Sequence, residues 1–356
     1  MTNHLPHLLP ERIEDITPTW LTQALESSFP DVEIASLTIL DRHSGTTGRA
    51  RLGLEYASGS SGPATVFVKL PPFADEQRKL VAATDMGRRE ARFYASLADE
   101  TPIRVPHCYS AGYGEAPTQY IMVLEDLEAT GCSFPSNVDT YSRDYGRRVI
   151  EALADLHAHF WADARFDAGL SWVPPAGRGG AGAKFIRMAR EQFGRDFPPV
   201  FTELCQLYEK HHGAICDLWD EGPSTLVHGD IHAGNQFLDG ERVGFFDWAV
   251  ISCSPGVRDL GIFLCNSCSP EVRRAEGVGW VRAYHQRLAR AGVDAPDFDT
   301  LWLRFRRAVL YGWIAATATA AVGDRWQPLA VSIPAMRRST EACIDLGTLE
   351  ALREAI

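Results

Sequence analysis

The stretch that decides the fold is His228-Gly229-Asp230-Ile231-His232-Ala233-Gly234-Asn235, followed by Phe245-Phe246-Asp247-Trp248. It sets three oxygen-bearing side chains at the spacing that ATP-dependent phosphoryl transfer requires. In that chemistry one carboxylate accepts the proton of the acceptor hydroxyl, while an amide and a second carboxylate hold Mg²⁺ against the triphosphate. The order of the residues predicts Asp230 as the catalytic base, and Asn235 and Asp247 as Mg²⁺ ligands.

The same stretch has the register of the protein kinase catalytic loop, H-R-D-x-x-x-x-N, with Gly229 at the arginine position. That arginine would bind a phosphorylated activation loop, and no A-P-E sequence follows Asp247. Control by such a loop is therefore not expected, and neither is a protein substrate. His228 is predicted to be structural, whereas His232 either faces the substrate or packs.

A zinc hydrolase is an alternative explanation, because His228 and His232 stand four residues apart with Asp230 between them. That spacing suits a helix, and the glycines inside the motif disfavour one. The run Arg242–Phe246 is typical of a strand that leads to Asp247. Taken singly, Asp230, Asn235 and Asp247 could each be an ordinary cap or turn residue. That explanation is poor for all three together. The pattern favours phosphoryl transfer.

HGDIHAGN with FFDW resembles the aminoglycoside phosphotransferase and choline kinase superfamily. Further segments are similar in order and spacing to its ecdysteroid-kinase-like branch: Met122–Leu127, Leu153–Ala158, Arg258–Gly261 and Tyr284–Leu288. The resemblance implies an α+β, two-lobed protein-kinase-like fold. A small β-rich nucleotide-binding lobe (1–124) would lead through a hinge (125–127) to a larger, mainly helical catalytic and substrate-binding lobe (128–356). It also implies that Asp259 supports the catalytic loop from behind.

A lysine on a strand and a glutamate on a helix are predicted to bind the nucleotide phosphates. The alternating strand 64–70 carries Lys69 near its end, where kinases place the lysine that grips the α and β phosphates. On the predicted helix 87–98, Glu90 shares one face with apolar residues, and a carboxylate there needs a buried partner. Lys69 is the natural partner, although an exposed strand lysine is the simpler alternative.

Two connections complete the predicted nucleotide site. Residues 42–48 occupy the position of the kinase phosphate-covering loop but lack G-x-G-x-x-G. The hydroxyls of Thr46 and Thr47, with backbone N–H groups, could contact phosphate oxygens, and an ordinary hairpin turn explains the segment equally well. Glu125 to Leu127 follow the last predicted strand, and their backbone is expected to bind adenine. Simple capping by the acidic residues is compatible with that role.

The composition is that of an ordinary globular protein of 356 residues, 45% hydrophobic and 23% charged. A net charge of −11 argues against nucleic acid or an anionic membrane surface as the main partner. The N-terminus lacks the pattern of a secretory signal, and the apolar run Val309–Val322 is too short to span a bilayer. Eight scattered cysteines fit reduced thiols, and the close pair Cys265 and Cys268 lacks partners for a metal site. A cytoplasmic location is expected.

The late part of the chain bears on the acceptor. Residues 251–356 contain 13 arginines, no lysine and 11 acidic residues, whereas a site for polycationic aminoglycosides should be rich in carboxylates. Aromatic residues crowd the same region and suit an apolar ligand, although core packing explains many of them. Possible acceptor-lining residues are His232, Trp302, Tyr311 and Trp313, and Trp326 belongs to the same aromatic group.

The sequence therefore predicts an ATP- and Mg²⁺-dependent kinase of a small, neutral or weakly anionic, largely apolar hydroxylated compound. Sterol-like, polyketide and hydroxyacyl molecules are examples. Two alternatives stay open. One is a catalytically silent nucleotide-binding or scaffold protein of the same fold, and the other is a true aminoglycoside O-phosphotransferase.

Overall fold

The computed structural model describes residues 9–135, 142–178, 181–325 and 327–356, so the prediction for Trp326 lies outside the described residues. The chain forms two compact units. The first extends to Phe134 and includes the later segment Phe237–Val250, and the second comprises Pro135–Gln236 and Ile251–Ile356. The segment predicted as a hinge, 125–127, lies inside the first unit.

The first five strands of the chain form an antiparallel sheet at the centre of the first unit, in the order first, second, third, fifth, fourth. In the described residues, three helices and a separate two-stranded hairpin accompany it. The elements are α1 (Pro18–Leu25), β1 (Ile34–Ser44), β2 (Gly48–Tyr56), β3 (Thr65–Leu70), α2 (Asp75–Ala82), α3 (Met86–Ser96), β4 (Cys108–Tyr113), β5 (Tyr120–Glu125), β7 (Gln236–Asp239) and β8 (Arg242–Phe245). The lysine strand, the glutamate helix and the strand leading to Asp247 are all present where the sequence predicts them.

The connection between β1 and β2 is shorter than the sequence predicts. The two strands pair down to Ser44 and Gly48, so only residues 45–47 remain as a turn. A register irregularity between Ile39 and Asp41 interrupts the ladder without ending it. The expected open loop is thus largely strand, and its side chains take the alternating directions of a sheet.

The first helix shows how local sequence fixes an element. The Thr17 hydroxyl accepts a hydrogen bond from the Trp20 N–H at 3.1 Å, and Pro18 takes the first helical position. Its buried face joins Leu21 to the apolar face of the sheet. The helix ends at Leu25, and the serines at 27 and 28 that follow it favour a turn.

In its described residues the second unit is mainly helical, and two short strands of it pair antiparallel. Its elements are α4 (Arg143–His159), α5 (Ala181–Phe193), α6 (Pro199–Trp219), β6 (Thr225–Val227), β9 (Ser252–Ser254), α7 (Val257–Asn266), α8 (Pro270–Arg290), α9 (Phe298–Val322), α10 (Leu329–Asp345) and α11 (Thr348–Arg353). In the described ranges, no helix has the length and apolar character needed to cross a membrane.

Close packing of α7 on α9 places the functional side chains of α7. A Cβ on Gly261 of α7 would lie 2.6 Å from the Ala308 carbonyl oxygen, and one on Gly312 of α9 would lie 3.0 Å from the Ile262 Cα. Side chains at these two positions would push the helices apart. Because α7 begins at Val257, this contact also fixes the position of Asp259.

Candidate active site

A triad of charges lies in the first unit, with Lys69 and Glu90 buried and Asp247 half-buried. The Lys69 Nζ is 2.5 Å from the Glu90 Oε2 and 3.1 Å from the Asp247 Oδ1. The Lys69 side chain is 6% exposed and that of Glu90 is fully buried. The structure therefore brings together Lys69 and Glu90 as the amphipathic pattern predicts, and adds Asp247 to the pair.

Close approach of α3 to the sheet makes this triad possible. A Cβ on Gly87 would lie 2.0 Å from the Tyr120 ring, so a glycine is required where α3 crosses β5. Phe93 of α3 stacks on Trp248 with 4.1 Å between ring centroids. The Trp248 N–H in turn donates to the Glu90 Oε1 at 3.2 Å. The helix face that carries Glu90 is thus fixed from two sides.

Burial and pairing act in opposite directions on the two partners. Burial raises the pKa of Glu90 to about 7, against the opposing effect of the Lys69 ammonium. Burial also disfavours the charged form of Lys69, but Asp247 and Glu90 outweigh it and raise the pKa of that lysine. Lys69 therefore stays protonated, while Glu90 titrates close to neutrality.

Asp247 has a left-handed backbone, with φ of 67°. Aspartate tolerates this conformation better than most residues, because its short side chain can bond locally. The hairpin that leads to it is closely packed: a Cβ on Gly244 would lie 2.2 Å from the Phe237 ring. The Trp248 indole N–H donates to the Phe245 carbonyl at 3.1 Å and closes the turn.

A cavity of about 200 Å³ in the first unit, named here the first cavity, contains this triad. Predicted residues that line it are Lys69, Glu90, Glu125, Leu127 and Asp247. Asp126, from the same predicted segment as Glu125 and Leu127, also lines it. Residues that line it and were not predicted include Asp41, Arg49 and Arg51.

The β1–β2 turn lies apart from the lining of the first cavity. Thr46 is exposed and Thr47 is buried, and neither belongs to the lining. The structure therefore leaves the predicted phosphate contacts of the two threonines without support. The short turn is the physical reason, because it holds only residues 45–47 between the paired strands.

The acidic residues at the end of β5 hold local structure. Glu125 accepts hydrogen bonds from the Arg104 Nη2 at 2.7 Å and from the His107 N–H at 2.9 Å. Burial opposes ionisation of Glu125, but the His107 N–H and the Arg104 guanidinium outweigh it and lower the pKa. The Glu125 N–H donates to the His107 carbonyl. The backbone N–H and the side chain of Glu125 are thus both occupied by hydrogen bonds within the protein.

Asp126 joins three strands at the edge of the first cavity. Its Oδ2 accepts hydrogen bonds from the Arg51 Nε at 2.5 Å and the Thr65 hydroxyl at 2.6 Å. The Arg51 Nη1 reaches Glu128 at 2.8 Å. Arg51 is therefore paired with two carboxylates, and the segment after β5 is tied to β2 and β3.

In the second unit, Asp259 holds the backbone of the motif His228–Asn235. Its Oδ2 accepts the His228 N–H at 2.7 Å, and its Oδ1 accepts the Gly229 N–H at 2.9 Å. Gly229 has φ of 81°, a conformation that favours glycine. His228 is fully buried, and its Nδ1 accepts the Asp230 N–H at 3.3 Å. These bonds fix the backbone immediately before Asp230.

Two residues lie behind Asp259, and the sequence analysis connected neither of them with this aspartate. The His157 Nε2 lies 3.3 Å from the Asp259 Oδ2, and its Nδ1 lies 2.8 Å from the Tyr284 hydroxyl. All three side chains are buried. A Cβ on Gly256 would lie 2.5 Å from both His157 and Tyr284, so a larger residue at position 256 would clash with both side chains. The histidine in LADLHA and the tyrosine in YHQRL were the available signals, because both lie in segments that carried the resemblance.

The side chains of the motif itself converge on one oxygen of Asp230. The Asn235 Nδ2 donates to the Asp230 carbonyl at 2.9 Å and to its Oδ2 at 3.3 Å. The His232 Nε2 lies 3.6 Å from the same Oδ2. Because the Asn235 amide donates through Nδ2, its Oδ1 is the atom left to bind a cation. The Asp230 Oδ1 has no such neighbour in the motif and is the oxygen best placed to accept a proton.

His232 has a defined tautomer. Its Nδ1 accepts a hydrogen bond from the Gly234 N–H at 3.0 Å, so the ring proton of the neutral form is on Nε2. That N–H faces Asp230. A Cβ on Gly234 would lie 2.8 Å from the His232 ring, which explains why a glycine stands two residues after this histidine.

A second cavity, of about 390 Å³, lies in the second unit and contains Asp230 and His232. Small side chains form most of its wall: Ala233, Gly234, Ala315, Ala316, Thr319, Val331, Ser332 and Ala335. Among the residues that the structure describes along this cavity, Asp230 is the one carboxylate. Arg338 also lines it, and its Nε and Nη2 donate to the Asn266 carbonyl at 3.2 and 2.9 Å.

The predicted aromatic wall is not part of the second cavity. Trp313 is fully buried, and its indole N–H donates to the Thr340 hydroxyl at 3.0 Å. Trp302 stacks on Phe298, and Tyr311 lies beneath the Arg258 guanidinium at 5.1 Å. Of the four residues predicted to face the acceptor, only His232 lines this cavity. The aromatic residues fill helix contacts, as core packing requires.

Comparisons with known proteins agree with this architecture. The family model described as "Phosphotransferase enzyme family" matches residues 53–299. Similar solved structures include the GDP complex of aminoglycoside 2'-phosphotransferase-IIIa, at 15% identity and TM-score 0.53, covering 91% of this chain and 98% of that one. Another is the ethanolamine kinase of Plasmodium vivax, at 11% identity and TM-score 0.51, covering 95% and 89%.

No curated protein sequence matches the chain. At these identities the structural likeness establishes the two-lobed kinase-like fold that the sequence predicted. The ecdysteroid-kinase-like branch stays a prediction. The family match covers well over half of the chain and confirms the predicted superfamily: the chain belongs to the phosphotransferase enzyme family.

Proposed function

We propose that the chain transfers the γ-phosphoryl group of ATP to a hydroxyl of a small molecule, in the presence of Mg²⁺, with Asp230 as the base. The arrangement around Asp230 carries this proposal. Its backbone is fixed through Asp259, and its Oδ2 faces Asn235 and His232. The Oδ1 can then accept the proton of the acceptor hydroxyl as the hydroxyl oxygen attacks the γ-phosphorus. The bond to the bridging oxygen breaks, ADP leaves, and the proton stays on Asp230.

The charged groups of the first cavity support nucleotide binding. Lys69, oriented by Glu90, presents an ammonium group that suits phosphate oxygens. The backbone near Leu127, which lines the same cavity, would contact the base. The Glu125 N–H is already bonded, so this contact falls to its neighbours.

Asn235 and Asp247 would hold Mg²⁺. Both offer oxygen atoms, the ligands that this hard cation prefers, and it commonly uses few protein ligands together with phosphates and water. The Asn235 Oδ1 is oriented for such a role by the hydrogen bonds of its Nδ2. When bound, Mg²⁺ would neutralise charge on the phosphates.

The second cavity supports a neutral or weakly anionic, largely apolar acceptor. Alanine side chains and a valine provide apolar surface, and Arg338 adds a positive group. A polycationic aminoglycoside would meet a single described carboxylate here, that of Asp230, and this residue is needed as the base. Its volume of about 390 Å³ is at the lower end of the range for small-molecule sites, which favours a compact acceptor or one that enters by a narrow end.

A two-stage measurement tests this function. Thermal shift with ATP, with and without Mg²⁺, would first establish binding. ATP consumption would then be followed against two acceptor panels, one of hydroxylated apolar compounds and hydroxy acids, and one of kanamycin-type aminoglycosides. Turnover on the first panel is expected. Mg-ATP binding without turnover on either panel would favour a silent nucleotide-binding protein, and turnover on aminoglycosides alone would refute the acceptor class.

A further inference from the structure

Arg49 lies directly beside the phosphate-binding lysine. In the β2–β3 ladder Arg49 pairs with Lys69, and Arg51 pairs with Phe67. Side chains of residues paired directly across antiparallel strands lie on the same face of the sheet. All four residues line the first cavity. The strand therefore delivers a second cation to the part of the cavity that contains Lys69.

The partners of these cations differ. Lys69 is paired with Glu90 and Asp247, and Arg51 with Asp126 and Glu128. By contrast, the Arg49 Nε is buried and has no hydrogen-bond partner within the described residues. A buried N–H group without a partner is costly unless something else binds it. Among the cations that line the cavity in the described ranges, Arg49 is the one with no carboxylate at ion-pair distance.

The neighbouring turn does not supply an alternative. Residues 45–47 connect β1 and β2, and neither threonine among them lines the cavity. A triphosphate nevertheless needs several donors, and a guanidinium is a planar fork that matches phosphate oxygens. Arg49 follows this turn by two residues and, unlike the threonines, lines the cavity.

We propose that Arg49 binds the polyphosphate of the nucleotide and replaces the missing phosphate-covering loop. The inference rests on the proposed function, because it assigns a residue of this chain to the nucleotide site. It applies to the phosphate chain of a nucleoside di- or triphosphate rather than to the base. Affinity for adenosine should therefore not depend on Arg49.

Isothermal titration of Mg-ATP, ADP and adenosine against three variants tests the assignment. Arg49→Met keeps the length of the side chain and removes the charge, and it should weaken Mg-ATP binding about 10- to 100-fold. Arg49→Lys keeps the charge without the fork and should fall between Met and the parent. Arg42→Met is the matched control, because Arg42 is an exposed arginine on β1 paired with Glu14. The control should bind Mg-ATP as the parent does.

The outcomes are distinct. Unchanged Mg-ATP affinity in Arg49→Met would overturn the inference and leave the proposed function intact. An equal loss for adenosine and Mg-ATP would also overturn it, because a general disturbance of the cavity affects both ligands. If the parent protein binds no Mg-ATP, the proposed function fails first. The melting temperature of each variant shows whether it is folded. If Arg49→Met is misfolded, the Mg-ATP affinity of the milder variant Arg49→Lys decides whether the inference holds.

Discussion

The two cavities are built on opposite principles. In the first, cations and carboxylates are paired at short distances, as with Lys69 and Glu90 at 2.5 Å. In the second, small apolar side chains surround Asp230 and a single described arginine, Arg338. Fixed charges suit a ligand that always carries several charges, such as a polyphosphate, whereas small side chains select mainly by shape. The difference predicts that substitutions in the first cavity alter nucleotide affinity and those in the second alter turnover.

The largest effect is expected at Asp230. Asp230→Asn removes the base but keeps the shape of the side chain, so turnover should fall by about 10² to 10⁴. Nucleotide affinity should stay within about twofold of the parent value, because this residue belongs to the second cavity. Steady-state rates and calorimetry on the same preparation give both quantities. Near-normal turnover would remove Asp230 from the mechanism.

A smaller effect is expected at Asp247. Asp247→Asn keeps a residue that tolerates the left-handed backbone, but it removes the charge that we propose binds Mg²⁺. The factor by which Mg²⁺ increases ATP affinity should then be about 10²-fold smaller than in the parent. Titrating ATP at several Mg²⁺ concentrations measures this, with Asp239→Asn as a control aspartate on the same hairpin. An undiminished Mg²⁺ effect would show that the cation binds elsewhere.

Glu90 should produce a pH-dependent loss. Glu90→Gln is expected to weaken Mg-ATP binding about tenfold at about pH 8.5, where the parent carboxyl is ionised and orients Lys69. With a pKa of about 7, the parent carboxyl gains a proton as the pH falls. The parent then comes to resemble the variant.

The ratio of the two affinities should therefore shrink toward about pH 6. Taking a ratio cancels the titration of ATP itself. A ratio that is constant with pH would contradict the raised pKa of Glu90.

The same raised pKa affects stability. The folded protein retains the Glu90 proton up to about pH 7, whereas the unfolded chain releases it near the ordinary value of about 4.3. The contribution of this group to the free energy of unfolding is therefore greatest below the unfolded pKa and declines as the pH rises through the folded one. Chemical denaturation between these two pKa values should show that the free energy of unfolding of the parent declines as the pH rises. This decline should be absent in Glu90→Gln.

The smallest effect concerns His232, and two variants separate its contacts. Asn can retain the bond to the Gly234 N–H, and Gln can retain a donor toward Asp230. If His232 orients Asp230, kcat should fall about three- to tenfold in His232→Asn and stay near the parent in His232→Gln. Initial rates at saturating ATP distinguish them. The reverse order would assign His232 to the turn alone.

Sequence reasoning succeeded where one residue type has few alternatives. Lys69 and Glu90 were paired because a carboxylate on an apolar helix face needs a buried cation, and the structure places them in contact. The motif from His228 to Asn235 was specific for the same reason, since its spacing leaves little freedom. These features depend on local pattern and on a strong energetic requirement.

It was less successful where tertiary register decides. Arg49 was overlooked because its position beside Lys69 depends on how β2 pairs with β3. Trp313 was taken as a possible acceptor contact, although the packing of α9 turns it into the core. Which face of a helix or strand meets a cavity follows from contacts distant in sequence, and composition does not reveal them.

The left-handed backbone of Asp247 limits which changes the chain can accumulate there. Most residues placed at φ of 67° would strain the turn in addition to losing the carboxylate. Activity and abundance would then decline together in most single substitutions at this position. Only asparagine or glycine at this position would remove the carboxylate without that strain. A long-lived inactive descendant of this protein is therefore most accessible through those two residues.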